Sequence, residues 1–368
     1  MKYISAIAVA LALSAGSTFA AGSASAADLP SMKAPVYVPP PPPPPMWTGF
    51  YAGLNAGYGW GATSNANTIS LPLFDGVAAQ ANALDPLRQI AGTGLISGNT
   101  ALANSGVANV NQGGFIGGGQ IGYNYQWSPR IVLGLEADFQ GSTISGGGSY
   151  SGASQDSISW KDPYIPGLSP CVTNGCTFTR SAIGVGQVNA GVDWMGTVRG
   201  RLGYLVTPTT LIYATGGLAY GGVHATATHA GVIPASLAGA NDAQFPTPYP
   251  YSQFNGNYLF PMLPGTGSYS STQVGWIGGA GVEWMFAPNW SLKVEGLYYD
   301  LGGGNIYSSP VALLSPLTVN LGGIHAAAGQ LLLANAPVTH VKFDGVIARA
   351  GINYHFNWGA PAPVLAKY

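Results

Sequence analysis

Charge is what this sequence has least of. Of 368 residues, 12 are Lys or Arg and 13 are Asp or Glu, 7 % of the chain, where ordinary soluble domains carry about 25 %. So little charge excludes a conventional soluble surface at this length. The near balance of signs excludes the basic face that nucleic acid requires, so no nucleic-acid partner is expected. No apolar run reaches the roughly 18 residues of a membrane-crossing helix. Cysteine is also scarce: Cys171 and Cys176 are the only two, and none lies near the N-terminus to carry a lipid anchor. Disorder is excluded in turn, because 55 glycines accompany 11 % aromatics and a regular alternation.

That alternation is what the sequence does have. Eight segments alternate small or polar residues with apolar ones: Gly49–Gly61, Gly114–Trp127, Arg130–Ser142, Asp193–Val206, Thr210–Val223, Gln273–Phe286, Trp290–Gly303 and Phe343–Phe356. A period of two over such lengths means strands with two unlike faces. Short connections alternate with long ones. The short ones are Ser128-Pro129, Thr207-Pro208-Thr209 and Ala287-Pro288-Asn289, each with a proline that suits a turn. The long ones are Ala62–Gly113, Thr143–Val192, His224–Thr272 and Gly304–Lys342. The expected fold is all-β: an eight-stranded antiparallel up-and-down transmembrane β-barrel, with short periplasmic turns and four long extracellular loops.

The N-terminus reads as a secretory signal over residues 1–26, with Lys2, an apolar core at Ile4–Leu13 and the small-residue site Ala24-Ser25-Ala26. Removing Lys2 leaves 12 − 1 = 11 basic against 13 acidic residues. Residues 27–46 form a linker containing Pro39–Pro45, a stiff polyproline rod. It is expected to be a periplasmic spacer, with peptidoglycan or a periplasmic partner as the sharper alternative. The barrel is assigned to residues 47–356 and a periplasmic tail to 357–368. In an exported chain Cys171 and Cys176 are expected to close a small loop as a disulfide.

The charges assign the faces. Glu136 and Asp138 share one phase with Gln140, opposite Leu133, Leu135, Ala137 and Phe139. Asp193, Arg199 and Arg201 oppose Trp194, Val198, Leu202 and Tyr204, and Glu283 opposes Trp276, Val282, Trp284 and Phe286. Lys293 and Glu295 oppose Leu292, Val294 and Tyr298, while Arg349, Asn353 and His355 oppose Ala348, Ala350, Ile352 and Tyr354. A lipid-facing Arg or Lys at mid-bilayer costs about 2–4 kcal/mol, so these charges are expected inside. Glu136, Asp138, Glu283 and Glu295 then face Arg199, Arg201, Lys293 and Arg349 in a salt-bridged network. The alternative is a narrow pore lined by the same residues. Outward aromatics Trp194, Tyr204, Trp276, Trp284, Phe286, Trp290 and Tyr354 are expected to form interfacial girdles. A soluble ligand-carrying barrel would reverse this polarity.

Catalytic groups are few. His224, His229, His325 and His340 fall in or beside expected loops, and His355 near a strand end. His224 and His229 flank ATAT, which leaves open solvated loop histidines or a weak metal or haem contact. Asp193 and Asp300 lie near the expected loop rim without a partner set for catalysis. No nucleophile, zinc or phosphate motif stands in its required context. No enzyme activity, cofactor or metal is expected.

The segments AADLP, WTGFYAGLNAGYGWG, GGFIGGGQIGYNYQW, GLEADFQGS, GTVRGRLGYL, GWIGGAGVEWMF, KVEGLYYDLGGG and VIARAGINYHF resemble those of alphaproteobacterial outer-membrane immunogenic proteins. These are porin-like barrels with the architecture of OmpA-type transmembrane domains. The resemblance covers the strands and little of the loops. It implies a surface-exposed structural protein of the outer membrane, with lipid and the barrel-assembly machinery as partners. Tyr354 and Phe356 would serve as the assembly signal, which in such barrels is a terminal aromatic; Tyr368 is the alternative. The implied role is envelope structure and surface presentation. A small diffusion pore, or an adhesin that binds through its loops, are the alternatives.

Overall fold

Alternation of side chains frees both backbone edges of a strand for pairing, and here that pairing closes on itself. The structure is a computed structural model that describes residues 47–73, 93–160, 176–238, 257–314, 319–321, 324–326 and 331–356. The expected signal peptide, linker and tail, together with Asp75, Asp85 and Arg88 of the first long connection, lie outside the described residues.

In chain order the elements are β1 (Gly49–Gly61), β2 (Asn65–Pro72), α1 (Thr93–Ala103), β3 (Gly106–Asn109), β4 (Gly113–Gln126), β5 (Ile131–Trp160) and β6 (Cys176–Thr207). There follow β7 (Thr210–Ala238), β8 (Asn257–Ala287), β9 (Trp290–Tyr307), β10 (Val311–Leu314), β11 (Val319–Leu321), β12 (Ile324–Ala326) and β13 (Leu331–Phe356). Eight of them form a ring of antiparallel neighbours, β1-β4-β5-β6-β7-β8-β9-β13, and β13 returns to β1 with Phe50 opposite Phe356 and Gly61 opposite Gly345. Closure leaves no unpaired edge, which in lipid would strand backbone polar groups.

At one end the strands are joined tightly. Thr207 pairs with Thr210 around Pro208-Thr209, and Ala287 with Trp290 around Pro288-Asn289. Ser128 Oγ accepts from the Ile131 amide at 3.1 Å to hold the third turn. At the other end the strands continue past the eight segments read from the sequence. β5 and β6 stay paired as far as Trp160 opposite Cys176, and β7 and β8 as far as Ser236 opposite Asn257. Two of the four long connections expected to be loops are therefore largely hairpin. The residues involved, such as ISGGGSYSGAS in β5, are mostly small or polar, with Ile144 and Tyr150 the only large apolar or aromatic side chains in that stretch. Backbone pairing accepts such residues, but they give none of the apolar contrast by which a strand is recognised.

The far mouth is filled from within. α1 packs against β2, β5, β6 and β13, with Ala101 and Ala103 buried. Gly184 permits this approach, since a Cβ there would lie 2.4 Å from the Ala103 carbonyl oxygen. β2 and β3 extend the wall beside β13.

Candidate functional site

The largest assembly of chemically distinctive side chains lies inside the ring, toward the turn end. Ladder register creates it. Glu136 of β5 is directly opposite Arg199 of β6, Glu283 of β8 opposite Lys293 of β9, and Glu295 of β9 opposite Arg349 of β13. Opposite charges at such positions attract across the strand pair. Arg201, two residues beyond Arg199 on the same face, and Asp138, two beyond Glu136, complete four acids and four bases.

Each of the eight is buried. Glu136 is the centre: it pairs with Arg199, with Lys293 Nζ at 2.9 Å, with Arg201 Nη1 at 3.3 Å and, more distantly, with Arg349 Nη2 at 3.8 Å. Asp138 Oδ2 takes Arg349 Nη2 at 2.7 Å and Arg199 Nη2 at 2.9 Å. Glu295 receives Arg349 Nε at 2.6 Å, Lys293 Nζ at 3.2 Å and Arg199 Nη1 at 3.3 Å. Glu283 takes Arg201 Nη2 at 2.6 Å.

Neutral groups take part alongside the charges. Tyr51 donates to Glu136 Oε2 at 2.6 Å, and Tyr213 to Glu295 Oε2 at 3.0 Å. Ser291 and Asn353 donate to Glu283 Oε1 at 2.6 and 2.7 Å, and Lys293 donates to Gln120 Oε1 at 2.8 Å. The Arg201 guanidinium lies 3.9 Å from the centre of the Tyr213 ring, within cation–π range. Gly122 leaves room for the Tyr51 ring, whose Cζ would be 2.3 Å from a Cβ there. Asn353 takes the inward face expected of it beside Arg349, whereas Tyr51, Gln120, Tyr213 and Ser291 are members that the charge pattern does not reveal, although each has the inward parity of its strand.

Apolar side chains close this layer on both sides. Toward the turns, Trp47 is 1 % exposed, packs with Val132, Leu205, Leu211, Tyr213 and Met285, and donates from Nε1 to the Pro208 carbonyl at 3.0 Å. Its ring meets His355 edge-on at 5.9 Å. Toward the far mouth lies a larger apolar cluster that includes Ile144, Val192, Met195, Ile277, Leu297, Leu301, Phe343 and Ile347.

The remaining candidate residues are dispersed. The sequence phase puts Asp193 on the face of Arg199 and Arg201, but in the structure it does not share their buried face. β6 carries a bulge between Val192 and Trp194, and the inward parity changes there: Met195, Thr197, Arg199 and Arg201 are buried below it, Val188, Ala190 and Val192 above it. Asp193 is left outside, 2.9 Å from His224 Nδ1. Asp300 accepts from the Gly302 amide at 2.7 Å.

His224 and His229 stand five apart on one strand and so point to opposite faces, which removes a shared metal or haem contact. His229 is not a solvated loop residue. It is fully buried between Tyr150 and Thr339, at 3.2 and 3.3 Å. His355 is buried beside Ser291 at 2.9 Å, and His340 meets Asn305 at 2.8 Å. Nothing is described of the His325 side chain. The expected disulfide is not shown: Cys171 lies outside the described residues, and among those described there is no disulfide. Among the described residues, no group of three or more His, Cys, Asp or Glu is placed to hold a metal ion.

Outward aromatics gather in two belts. Near the turns, Trp290 meets Tyr354 at 5.1 Å, Tyr354 meets Phe356 at 5.1 Å, and Trp284 meets Phe286 at 6.1 Å. Tyr204 is exposed at the same level. In the other belt Trp194 stacks on Phe139 at 5.5 Å and touches Tyr220 at 6.1 Å, and Trp276 meets Tyr298 at 5.3 Å. Between the belts the outer surface is apolar, with Leu54, Ile121, Leu135, Val198, Leu202 and Val294 exposed.

Residues 6–314 match the family model described as outer membrane protein beta-barrel domain. The 31 kDa outer-membrane immunogenic proteins of Brucella melitensis and Brucella suis are each 32 % identical to this chain over 286 residues, covering 78 % of it and 84 % of the relative. Among solved structures, OprG from Pseudomonas aeruginosa is similar at 10 % identity and a TM-score of 0.31, over 84 % of this chain and 96 % of that one. Spanned by that family model and related over most of its length to the Brucella proteins, the chain belongs to the outer-membrane β-barrel protein family and resides in the outer membrane of the cell.

Proposed function

We propose that this protein is a structural barrel of the cell envelope, with a filled lumen and long hairpins presented at the surface. The eight-stranded ring crosses the membrane up and down. Its tight turns face the periplasm and its extended strand pairs face outward. The observation that carries this reading is the continuous filling of the ring: Trp47 and its neighbours, then four acids on four bases, then the apolar cluster around Ile144 and Phe343. An eight-stranded ring is only wide enough for side chains to occupy it, and here layers of paired charges and of apolar groups succeed one another among the described residues. The salt-bridged interior serves to hold the wall together, not to filter ions. Outer-membrane lipid contacts the apolar band. The assembly machinery reads Tyr354 and Phe356 at the end of β13, and residues 27–46 space the barrel from a periplasmic or peptidoglycan partner.

A second reading, surface recognition through the hairpins, is favoured by one feature. Ile69 of β2, Val338 of β13 and Tyr307 of β9 lie side by side in the ladder, and Ile69 and Tyr307 are exposed. Tyr307 is nine residues beyond Tyr298 of the far belt, about 20 Å above the lipid at the usual strand rise and tilt. An apolar row there faces no membrane and suits contact with another surface.

The test is conductance of the refolded mature protein in a planar bilayer, with heat-modifiable migration on a gel as the check of folding. A folded barrel is expected to give no discrete steps. Steady steps that change when Arg199 or Arg349 is replaced would establish the diffusion pore instead.

A further inference from the structure

The outer wall carries a depression that the aromatic belts do not explain. It lies on β4–β7 between the belts and encloses about 620 Å³. Two ladder rows build it. Tyr123, Leu135, Gly200 and Gly216 stand side by side across β4, β5, β6 and β7, and the next row toward the turns places Leu202 beside Ala214. Large side chains on β4 and β5 thus wall a floor of bare backbone on β6 and β7. The floor is open outward: a Cβ added at Gly200 or Gly216 would meet nothing closer than 3.9 or 3.7 Å. These glycines are therefore not required by packing inside the protein.

Directly below, at the turn end of the same strands, Arg130 is exposed and donates through Nη1 to the Tyr204 hydroxyl at 2.9 Å. Among the described side chains it is the only exposed charge at that end of the ring, and it has no carboxylate partner among them. Tyr204 and Gly200 are four residues apart on β6, about 13 Å along the strand. A cation at the interface and an apolar trough one half-chain deeper are complementary to the phosphate and the acyl chain of a single molecule.

We propose that the trough and Arg130 form a binding site for one glycerophospholipid of the periplasmic leaflet. An acyl chain lies over Gly200 and Gly216, and the phosphate lies against the Arg130 guanidinium, which Tyr204 holds in place. This rests on the orientation proposed above, with the turns in the periplasm. The Arg130 contribution is electrostatic and interfacial, whereas the trough contributes shape, since bare backbone lets a chain approach closer than the neighbouring Leu and Val surface does.

Native mass spectrometry of the refolded mature protein in detergent, with limiting palmitoyl-oleoyl phosphatidylglycerol, tests this. Wild type is expected to retain one lipid. G216L, which fills the trough where space is open, is expected to abolish retention. R130Q is expected to reduce it about fivefold, the effect of one interfacial charge contact. Palmitoyl-oleoyl glycerol, which lacks the phosphate, should bind wild type and R130Q alike. Equal retention by wild type, G216L and R130Q overturns the site and leaves an unspecific lipid shell. Loss of a dimer in G216L without change in lipid overturns it in favour of a second copy of this chain. Folding is followed by gel mobility throughout, so loss of the barrel is seen separately from loss of the lipid; R130Q, at an exposed turn, keeps the test open if G216L does not fold.

Discussion

The two halves of the lumen solve the same problem with opposite materials. Toward the turns, where lipid surrounds the wall, the interior is charged, and almost every group in it is paired: Glu136 alone meets Arg199, Arg201 and Lys293 within 3.3 Å. From the level of the far belt onward the interior carries no ion pair among the described residues and is mainly apolar, with Met195 and Leu301 at the belt and Val188, Ala227 and Ile306 beyond it each at most 1 % exposed. The contrast inverts the intuition that charge belongs where water is. A membrane wall must be apolar outside, so its polar residues have one direction left, and they are tolerated there because each finds an opposite charge. The far half has water outside and needs no internal charge, so its interior combines hydrophobic packing with neutral hydrogen-bonded groups such as Thr68, His229 and Thr339. Charge in one half and volume in the other should therefore fail differently when altered.

The largest expected effect is in the charged half. Glu136→Ala leaves Arg199, Arg201 and Lys293 around an empty centre, and an uncompensated buried charge costs about 3–5 kcal/mol. Urea titrations of the folded fraction on gels should show that loss. The pair Glu136→Met with Arg199→Met removes one charge of each sign and is expected to recover most of it, because well-packed apolar groups replace buried ion pairs at little cost. Ile144→Ala and Leu301→Ala, in the apolar half, should each cost about 2–5 kcal/mol from the cavity left, and combining them should recover nothing. Recovery in one half and none in the other is the signature of the difference. If the Met pair stays as damaged as Glu136→Ala, the charged layer depends on specific geometry and not on balance.

The next effect belongs to the far half and to pH. His229 lies nine residues beyond Tyr220 of the far belt, outside the lipid, and burial pushes its pKa down to about 4. The unfolded value is about 6.5. Between these values the unfolded segment binds the proton and the folded one does not, so stability is complete above about pH 6.5, falls as pH drops toward 4, and falls no further below that. His229 touches Tyr150, whose hydroxyl also donates to the Asn104 carbonyl at the end of α1. Hydrogen exchange should therefore show residues 93–103 less protected at pH 5 than at pH 7.5, by about 1 kcal/mol once water at the mouth is allowed for. His229→Gln should remove the difference while the charged half stays unchanged. Equal protection at both pH values in the wild type would sink this reading of α1.

These contrasts also mark what the sequence displayed. The turn ends of the strands were legible, because Pro129, Pro208 and Pro288 stop pairing, and β7 and β9 begin at Thr210 and Trp290 where the pattern begins. The phase of Glu136, Asp138, Lys293 and Arg349 was legible because lipid forbids the opposite choice. The upper strand pairs were not, since Gly, Ser, Ala and Thr dominate them and the small inward residues such as Ala190, Ala225 and Ala227 give little contrast with the outer face. Trp47 was hidden by the proline run ending at Pro45, which reads as a boundary and gives no sign that a residue two positions on fills the mouth. His229 was hidden by its neighbours: Ala and Thr on either side resemble a loop, and only its position opposite Tyr150 and Thr339 shows that it is buried. The parity change in β6 was invisible because one extra residue alters no local composition.

That bulge is where the two halves meet, and it yields the smallest expected effect. Asp193 sits at the change of phase with its side chain more than half exposed, paired with the similarly exposed His224 at 2.9 Å. Exposed pairs contribute about 0–1 kcal/mol. Asp193→Asn or Asp193→Ala should therefore shift the urea midpoint within that range. The bulge itself depends on an added residue and not on its charge, since Val192 and Trp194 face opposite sides whatever stands between them. A loss above about 2 kcal/mol would mean that the Asp193–His224 pair holds the register of the upper strand pair. The apolar half would then depend on a charge at its border, and the division between a charged half and an apolar half would have to be redrawn at the bulge.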